Sequence, residues 1–132
     1  MNLVSVRVIT DQVEPMVRFY EQITGFDATR YTPQFAEVVT PAATLAIGHT
    51  DTVQLFGAGS ARPADNHTAI IEFRVDDVDG EFERLKGFVT DMVQQPTTMP
   101  WGNRSLLFRD PDGNLVNLFT PVTADALPKF DR

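Results

Sequence analysis

The chain has 132 residues, 42% hydrophobic and 22% charged, which is the size and composition of one compact domain and excludes a second full-sized one. It contains no cysteine, so disulfides, thiolate nucleophiles and sulfur-ligated zinc are excluded, as fits a reducing cytoplasm. Eighteen acidic residues against 11 basic ones leave a net charge of −7, which repels phosphate backbones and argues against nucleic acid, while attracting cationic small molecules. No stretch approaches the ~18 apolar residues of a membrane span, and the first residues lack the apolar region of an export signal. A cytoplasmic location without a membrane partner is therefore expected.

In chain order, residues 3–9 alternate so that Val4, Val6 and Val8 share one face of a strand and Ser5, Arg7 and Ile9 share the other. Asp11 with Glu14 has the spacing of a capping box. Val13, Met16, Val17, Tyr20 and Ile23 then recur at helical spacing, predicting a helix over 13–24 that Gly25 stops. Runs at 27–31, 35–39 and 44–47, punctuated by Pro33 and Pro41, predict three short antiparallel strands. The first unit is thus βαβββ, over about residues 1–56. Residues 57–66, rich in Gly, Ala and Ser, read as a linker.

The pattern then restarts, and a second module is expected over about 67–121. Residues 70–75 predict a strand with Ile71, Phe73 and Val75 on one face and Ile70, Glu72 and Arg74 on the other. Asp77 is placed to cap a second helix over 78–86, with Gly87 ending it as Gly25 ends the first. Strands follow at 88–93, 104–109 and 114–119, the last two joined by Asp110-Pro111-Asp112-Gly113, a tight turn. The pairs Gly25-Phe26 and Gly87-Phe88 fall at matching points of the two units, so the chain reads as a duplicated βαβββ module.

At Phe19-Tyr20, Gly25-Phe26 and Phe108-Arg109-Asp110-Pro111-Asp112-Gly113-Asn114 the sequence resembles the vicinal oxygen chelate superfamily, the glyoxalase/bleomycin-resistance/dioxygenase proteins. The resemblance covers roughly residues 3–121. It implies an α+β fold in which two βαβββ modules form a curved mixed sheet, a ligand held on the concave face, and a homodimer. Enzymes of the family hold a divalent metal there by His, Glu or Gln at four strand positions. Counting back from Phe19-Tyr20 puts the first at Ser5, and counting from Asp11 puts it at Val4. Counting from Asp76-Asp77 puts the second at Ile70. The third is Asn117, where the enzymes carry Glu, and its first-module equivalent lies near Ala46. None of these side chains is a usual ligand, so neither a metal nor another cofactor is expected. His49 and His67 adjoin turn-like segments and read as surface residues. Nothing resembles a nucleophile elbow, and no catalytic residue is assigned.

Pro100-Trp101-Gly102-Asn103-Arg104 resembles a segment of antibiotic-sequestering members of the family, which bind large planar drugs. That resemblance implies stacking on Trp101, room for a ligand at Gly102, and an Arg104 that holds an anionic group or braces the loop; packing at a dimer contact is the other reading of Trp101. Strand parity adds Ser5, Arg7 and Ile9, then Ile70, Glu72 and Arg74, then Leu115, Asn117 and Phe119 to the lining. Arg7 and Glu72 stand at equivalent positions of the two modules, as a charged floor or as a structural ion pair. The expected ligand-binding set is Ser5, Arg7, Ile70, Glu72, Trp101, Arg104, Asn117 and Phe119.

The function expected from these readings is metal-free binding of a small planar or cationic molecule, as in sequestration of an aromatic antibiotic or metabolite. The alternatives are a lyase, isomerase or dioxygenase with an atypical metal site, a metal-free acid–base enzyme using Glu72, and a structural dimer without a small ligand.

Overall fold

The structure, a computed structural model, describes residues 1–131. Cα packing divides the chain into two compact units, one of residues 1–66 with the turn 111–113, the other of residues 67–110 and those from 114 onward. Each carries its own four-stranded mixed sheet with one α-helix against it.

The first unit runs β1 (Ser5–Thr10), α1 (Val13–Thr24), β2 (Thr29–Thr32), β3 (Phe35–Val39) and β4 (Thr44–His49), with sheet order β1-β4-β3-β2. The helix forms where its apolar spacing predicts. Val13, Met16, Val17, Tyr20 and Ile23 are all buried, and Gly25 ends α1 at φ +74°, returning its N–H to the Glu21 carbonyl. The expected capping box does not form. Gln12 is the N-cap residue and makes no side-chain cap bond, Asp11 instead accepts the Thr50 hydroxyl, and Glu14 is drawn to Arg30. β1 pairs in parallel with β4, and β3 pairs antiparallel with β4. The register aligns Val6, Leu45 and Val38, then Val8, Ile47 and Ala36. Of these, Ala36, Val38, Leu45 and Ile47 are buried beneath α1. The other parity, Ser5, Arg7, Ile9, Phe35, Glu37, Ala46 and Gly48, forms the helix-free face.

Arg30 shares the parity of Ala36 and reaches α1, where its guanidinium bonds both Glu14 (2.9 Å) and Glu21 (3.0 Å). Hydrogen bonds from Arg30 are the main cause holding both carboxyls below the ordinary glutamate value; the backbone N–H of Ala28 adds to this at Glu21. Carboxyls lowered in the folded state stabilise it above the ordinary glutamate range, and that stabilisation is lost as pH falls through the lowered values. Arg30→Ala is therefore expected to destabilise the protein at pH 7, by less than about 1 kcal/mol for so exposed a network. In urea melts the difference from wild type should shrink as pH falls through the lowered values and vanish once both carboxyls are protonated. A difference that stays constant as pH falls would assign the effect to packing of the Arg30 stem.

The second unit runs β5 (Ile70–Arg74), α2 (Val78–Leu85), β6 (Met92–Thr98), β7 (Asn103–Arg109) and β8 (Leu115–Pro121), ordered β5-β8-β7-β6. Asp77 caps α2 as expected, its carboxylate accepting the Gly80 N–H at 3.2 Å. Gly87 does not play the part of Gly25. The helix ends at Lys86 in right-handed geometry, and Phe88 and Val89 both donate to the Leu85 carbonyl. That turn displaces the strand expected at 88–93, which begins instead at Met92. It then runs through Pro96, and the irregular pairing between Gln94 and Thr97 lies where proline has no N–H to donate. As an edge strand, β6 tolerates this.

β7 and β8 bury Leu106, Phe108, Val116 and Leu118 on the side of α2. The opposite, helix-free parity is Ser105, Leu107 and Arg109 with Leu115, Asn117 and Phe119, joined on β5 by Ile70, Glu72 and Arg74. The β7–β8 turn is held by Asp110, whose carboxylate accepts the Asn114 backbone N–H (3.0 Å) and side-chain amide (2.7 Å). Beyond β8 the chain folds back as a short 3-10 turn, Leu127–Phe130. Phe130 packs on Phe119 with ring centroids 4.9 Å apart, and Asp131 pairs with Arg74 at 3.3 Å.

Candidate functional site

On the helix-free face of the first module, Arg7 is the central charge. Ile9, Gly48 and Phe35 form one cross-strand row of this face, with Arg7, Ala46 and Glu37 in the next. Gly48 lies beside the guanidinium: a Cβ there would stand 3.7 Å from Arg7 Nη1 and 3.6 Å from Ile9, with its tightest contact at 3.2 Å to the Thr52 hydroxyl. The Arg7 Cζ lies 4.5 Å from the centre of the Phe35 ring and 5.1 Å from that of Phe56. Phe56 directly follows the 3-10 turn Thr50–Leu55 that succeeds β4. Tyr31 stacks on Phe35, with centroids 5.6 Å apart and planes 24° apart, and a hydrogen bond to Glu37 raises the Tyr31 hydroxyl above its ordinary value. Two rings thus attend one cation, and Tyr31 extends the aromatic cluster through Phe35. Tyr31 and Phe56 are 59% and 70% exposed, so the cluster has open aromatic surface.

On the helix-free face of the second module, Glu72 accepts the side-chain amide of Asn117 at 2.7 Å. Asn117 is only 7% exposed, and its Oδ1 has no hydrogen-bond partner among the described residues. The partners that the structure gives Arg7, the rings of Phe35 and Phe56, and Glu72, the Asn117 amide, lie within their own modules.

Ser5, Arg7, Ile70 and Glu72 are exposed on helix-free faces. Phe119 has the expected parity but is 5% exposed, covered by Phe130. Arg104 has the opposite parity. It faces α2, where its guanidinium bonds Asp79 at 2.9 Å and lowers that carboxyl from its ordinary value. This pair sits in an open groove of about 420 Å³ between α2 and β6, lined also by Phe82, Glu83, Gln95 and Pro96; its cation is already neutralised by Asp79. Trp101, in the β6–β7 turn, is 61% exposed. The space above Gly102 is filled by the protein itself, because a Cβ there would meet Thr123 Oγ1 at 2.1 Å and Ala126 at 2.9 Å.

Sequence reasoning missed Tyr31, Phe35, Phe56 and Gly48. For Phe35 and Gly48 a signal existed, since both alternate with buried apolar neighbours and so take the parity of Arg7. Phe56 belongs to no periodic segment, and nothing in the sequence places it over Arg7.

A profile of the Glyoxalase/Bleomycin resistance protein/Dioxygenase superfamily matches residues 2–118. The chain belongs to this family. Solved structures agree in fold. A family enzyme from Burkholderia phytofirmans PsJN superposes with a TM-score of 0.81 at 18% identity, covering 92% of this chain and 100% of its own. A glyoxalase-related enzyme from Fulvimarina pelagi gives 0.77 at 19% identity, with coverages of 96% and 95%. A glyoxalase/bleomycin resistance protein/dioxygenase from Nocardioides gives 0.76 at 20%, with coverages of 94% and 85%. No curated protein matches the chain.

The glyoxalase family's metal positions can be tested on this sheet register. Ser5 and Ala46 lie on the helix-free face of the first module, and Ile70 and Asn117 on that of the second. A methyl and a branched alkyl group supply no lone pair, which leaves only the Ser5 hydroxyl and the Asn117 amide oxygen, neutral donors one to each module, at the four positions. Among the described residues neither module gathers three His, Cys, Asp or Glu side chains able to hold an ion. His49 turns its Nδ1 to the backbone N–H of Asp51 at 3.0 Å. These residues do not fit a metal of the family type.

Proposed function

We propose that this glyoxalase-family protein binds a small planar organic molecule on a helix-free sheet face, without a metal at the family positions. The observation that carries the reading is the donor set: Ser5, Ala46, Ile70 and Asn117 stand where the family's ligands would be, while exposed rings gather around Arg7. Such a surface takes up an aromatic body by stacking and apolar contact and orients it by charge. It contains no arrangement that activates a nucleophile. Glu72, exposed and held by Asn117, supports a second reading as a general base, which turnover lost in Glu72→Gln but retained in Arg7→Gln would establish.

The test has two arms. Dialysed protein exposed in turn to zinc, nickel, manganese and iron(II), then desalted, is expected to retain no stoichiometric ion. In parallel, flat bicyclic aromatics are expected to raise the melting temperature saturably, because a ligand that binds only the folded state stabilises it by mass action. One-to-one metal retention abolished by Asn117→Ala would overturn the metal-free reading. Absence of stabilisation by every planar compound would overturn the binding reading.

A further inference from the structure

From the environment of Arg7 we infer that the first module binds the carboxylate of an aromatic acid. The inference rests on the planar-ligand reading above and adds the charge of the ligand. The guanidinium lies over the rings of Phe35 and Phe56, an arrangement that leaves its N–H groups without a partner among the described residues. Among the described residues Arg7 has neither a hydrogen-bond nor an ion-pair partner. The carboxylate that shares its face, Glu37, takes the Tyr31 hydroxyl instead. Six other arginines, Arg18, Arg30, Arg62, Arg74, Arg84 and Arg104, pair with carboxylates. In a chain of net charge −7, a guanidinium that lies over two rings and pairs with no carboxylate among the described residues has the form of a receptor for an external anion. Its fork matches a carboxylate in bidentate geometry, and stacking restricts the side chain before the ligand arrives, lowering the entropy lost on binding. The exposed faces of Tyr31 and Phe56 lie where the acid's ring would pack. This chemistry runs opposite to the cationic ligand expected from net charge, because the local field at Arg7 differs in sign from that of the molecule as a whole.

The experiment compares three probes of one shape and different charge, 2-naphthoate, 2-naphthamide and 2-naphthylmethylammonium, by titration calorimetry on the full chain. Naphthoate is expected to bind about tenfold or more tighter than the amide, the scale of a charge-assisted bidentate contact. Arg7→Gln should bring naphthoate down to the level of the amide while leaving the amide unchanged. Arg7→Lys, which keeps the charge and loses the fork, should fall between. Phe56→Leu lies outside the sheet and should weaken naphthoate binding even if Arg7→Gln fails to fold. If the amide or the ammonium probe binds as tightly as naphthoate, or Arg7→Gln leaves naphthoate affinity intact, the anion inference is wrong and planar binding stands. If none of the three binds, both readings fall.

Discussion

Asp110→Ala is expected to destabilise the protein by about 3 kcal/mol, the scale of breaking a buried, charge-assisted hydrogen-bond set. Asp110 is buried, and its two carboxylate oxygens accept the backbone N–H and the side-chain amide of Asn114, itself buried. Removing the carboxylate strands two donors away from water. The backbone pairing from Asp110 N–H to the Asn114 carbonyl at 3.0 Å then has to hold the turn without side-chain support, beside a Gly113 already at φ +85°. Asp110→Asn should recover part of the loss, since its amide oxygen still accepts one bond. Chemical denaturation at pH 7 measures both. A loss below about 1 kcal/mol for Asp110→Ala would mean that water replaces the carboxylate and that the turn is not the clamp described.

Gly102→Ala is expected to cost about 2 kcal/mol or more, through two independent causes. Gly102 sits at φ +95°, where a side chain is strained, and its Cβ would overlap Thr123 Oγ1 at 2.1 Å. Relief requires the segment after β8 to move, and that segment is also tied to Gly102 by the Val122 N–H to its carbonyl at 2.9 Å. The double variant Gly102→Ala, Thr123→Gly separates the causes, because it removes the overlap with Thr123 and leaves the backbone strain and the Ala126 contact at 2.9 Å. Recovery of about half the loss is expected in thermal melts. A single variant as stable as wild type would show that the C-terminal segment does not rest on the Trp101 turn.

Both residues belong to motifs that read from sequence as marks of a ligand site or a family, and in the structure both act on the fold. The duplicated architecture was legible because each module has strict alternation and a helix with apolar residues three and four apart; α1 appears at its expected limits. What failed locally failed for physical reasons. A capping box needs Asp11 free to turn back, and Thr50 and Arg30 compete for its two carboxylates. Gly87 resembles Gly25 in sequence, yet the chain after α2 continues through a right-handed turn and requires no left-handed residue. Parity identified the helix-free residues Arg7, Glu72 and Asn117, but parity is silent on what covers a face. Phe119 and Phe56 depend on where irregular segments fall, which no periodicity encodes. Arg104 was undecided until register placed it beside Asp79.

The packing of Phe130 on Phe119, with Asp131 on Arg74, amounts to a ligand already attached to its receptor. A tethered ring of this kind is present at an effective concentration on the order of millimolar. Any free aromatic molecule directed to that end of the second module must outcompete it, so its apparent affinity there is reduced by the fraction of time the tail is docked. The first module carries no such internal competitor over Tyr31 and Phe56. On the proposed reading, occupancy by an aromatic molecule would therefore be unequal between the two copies of the duplicated fold, with the first saturating at concentrations that leave the second self-occupied.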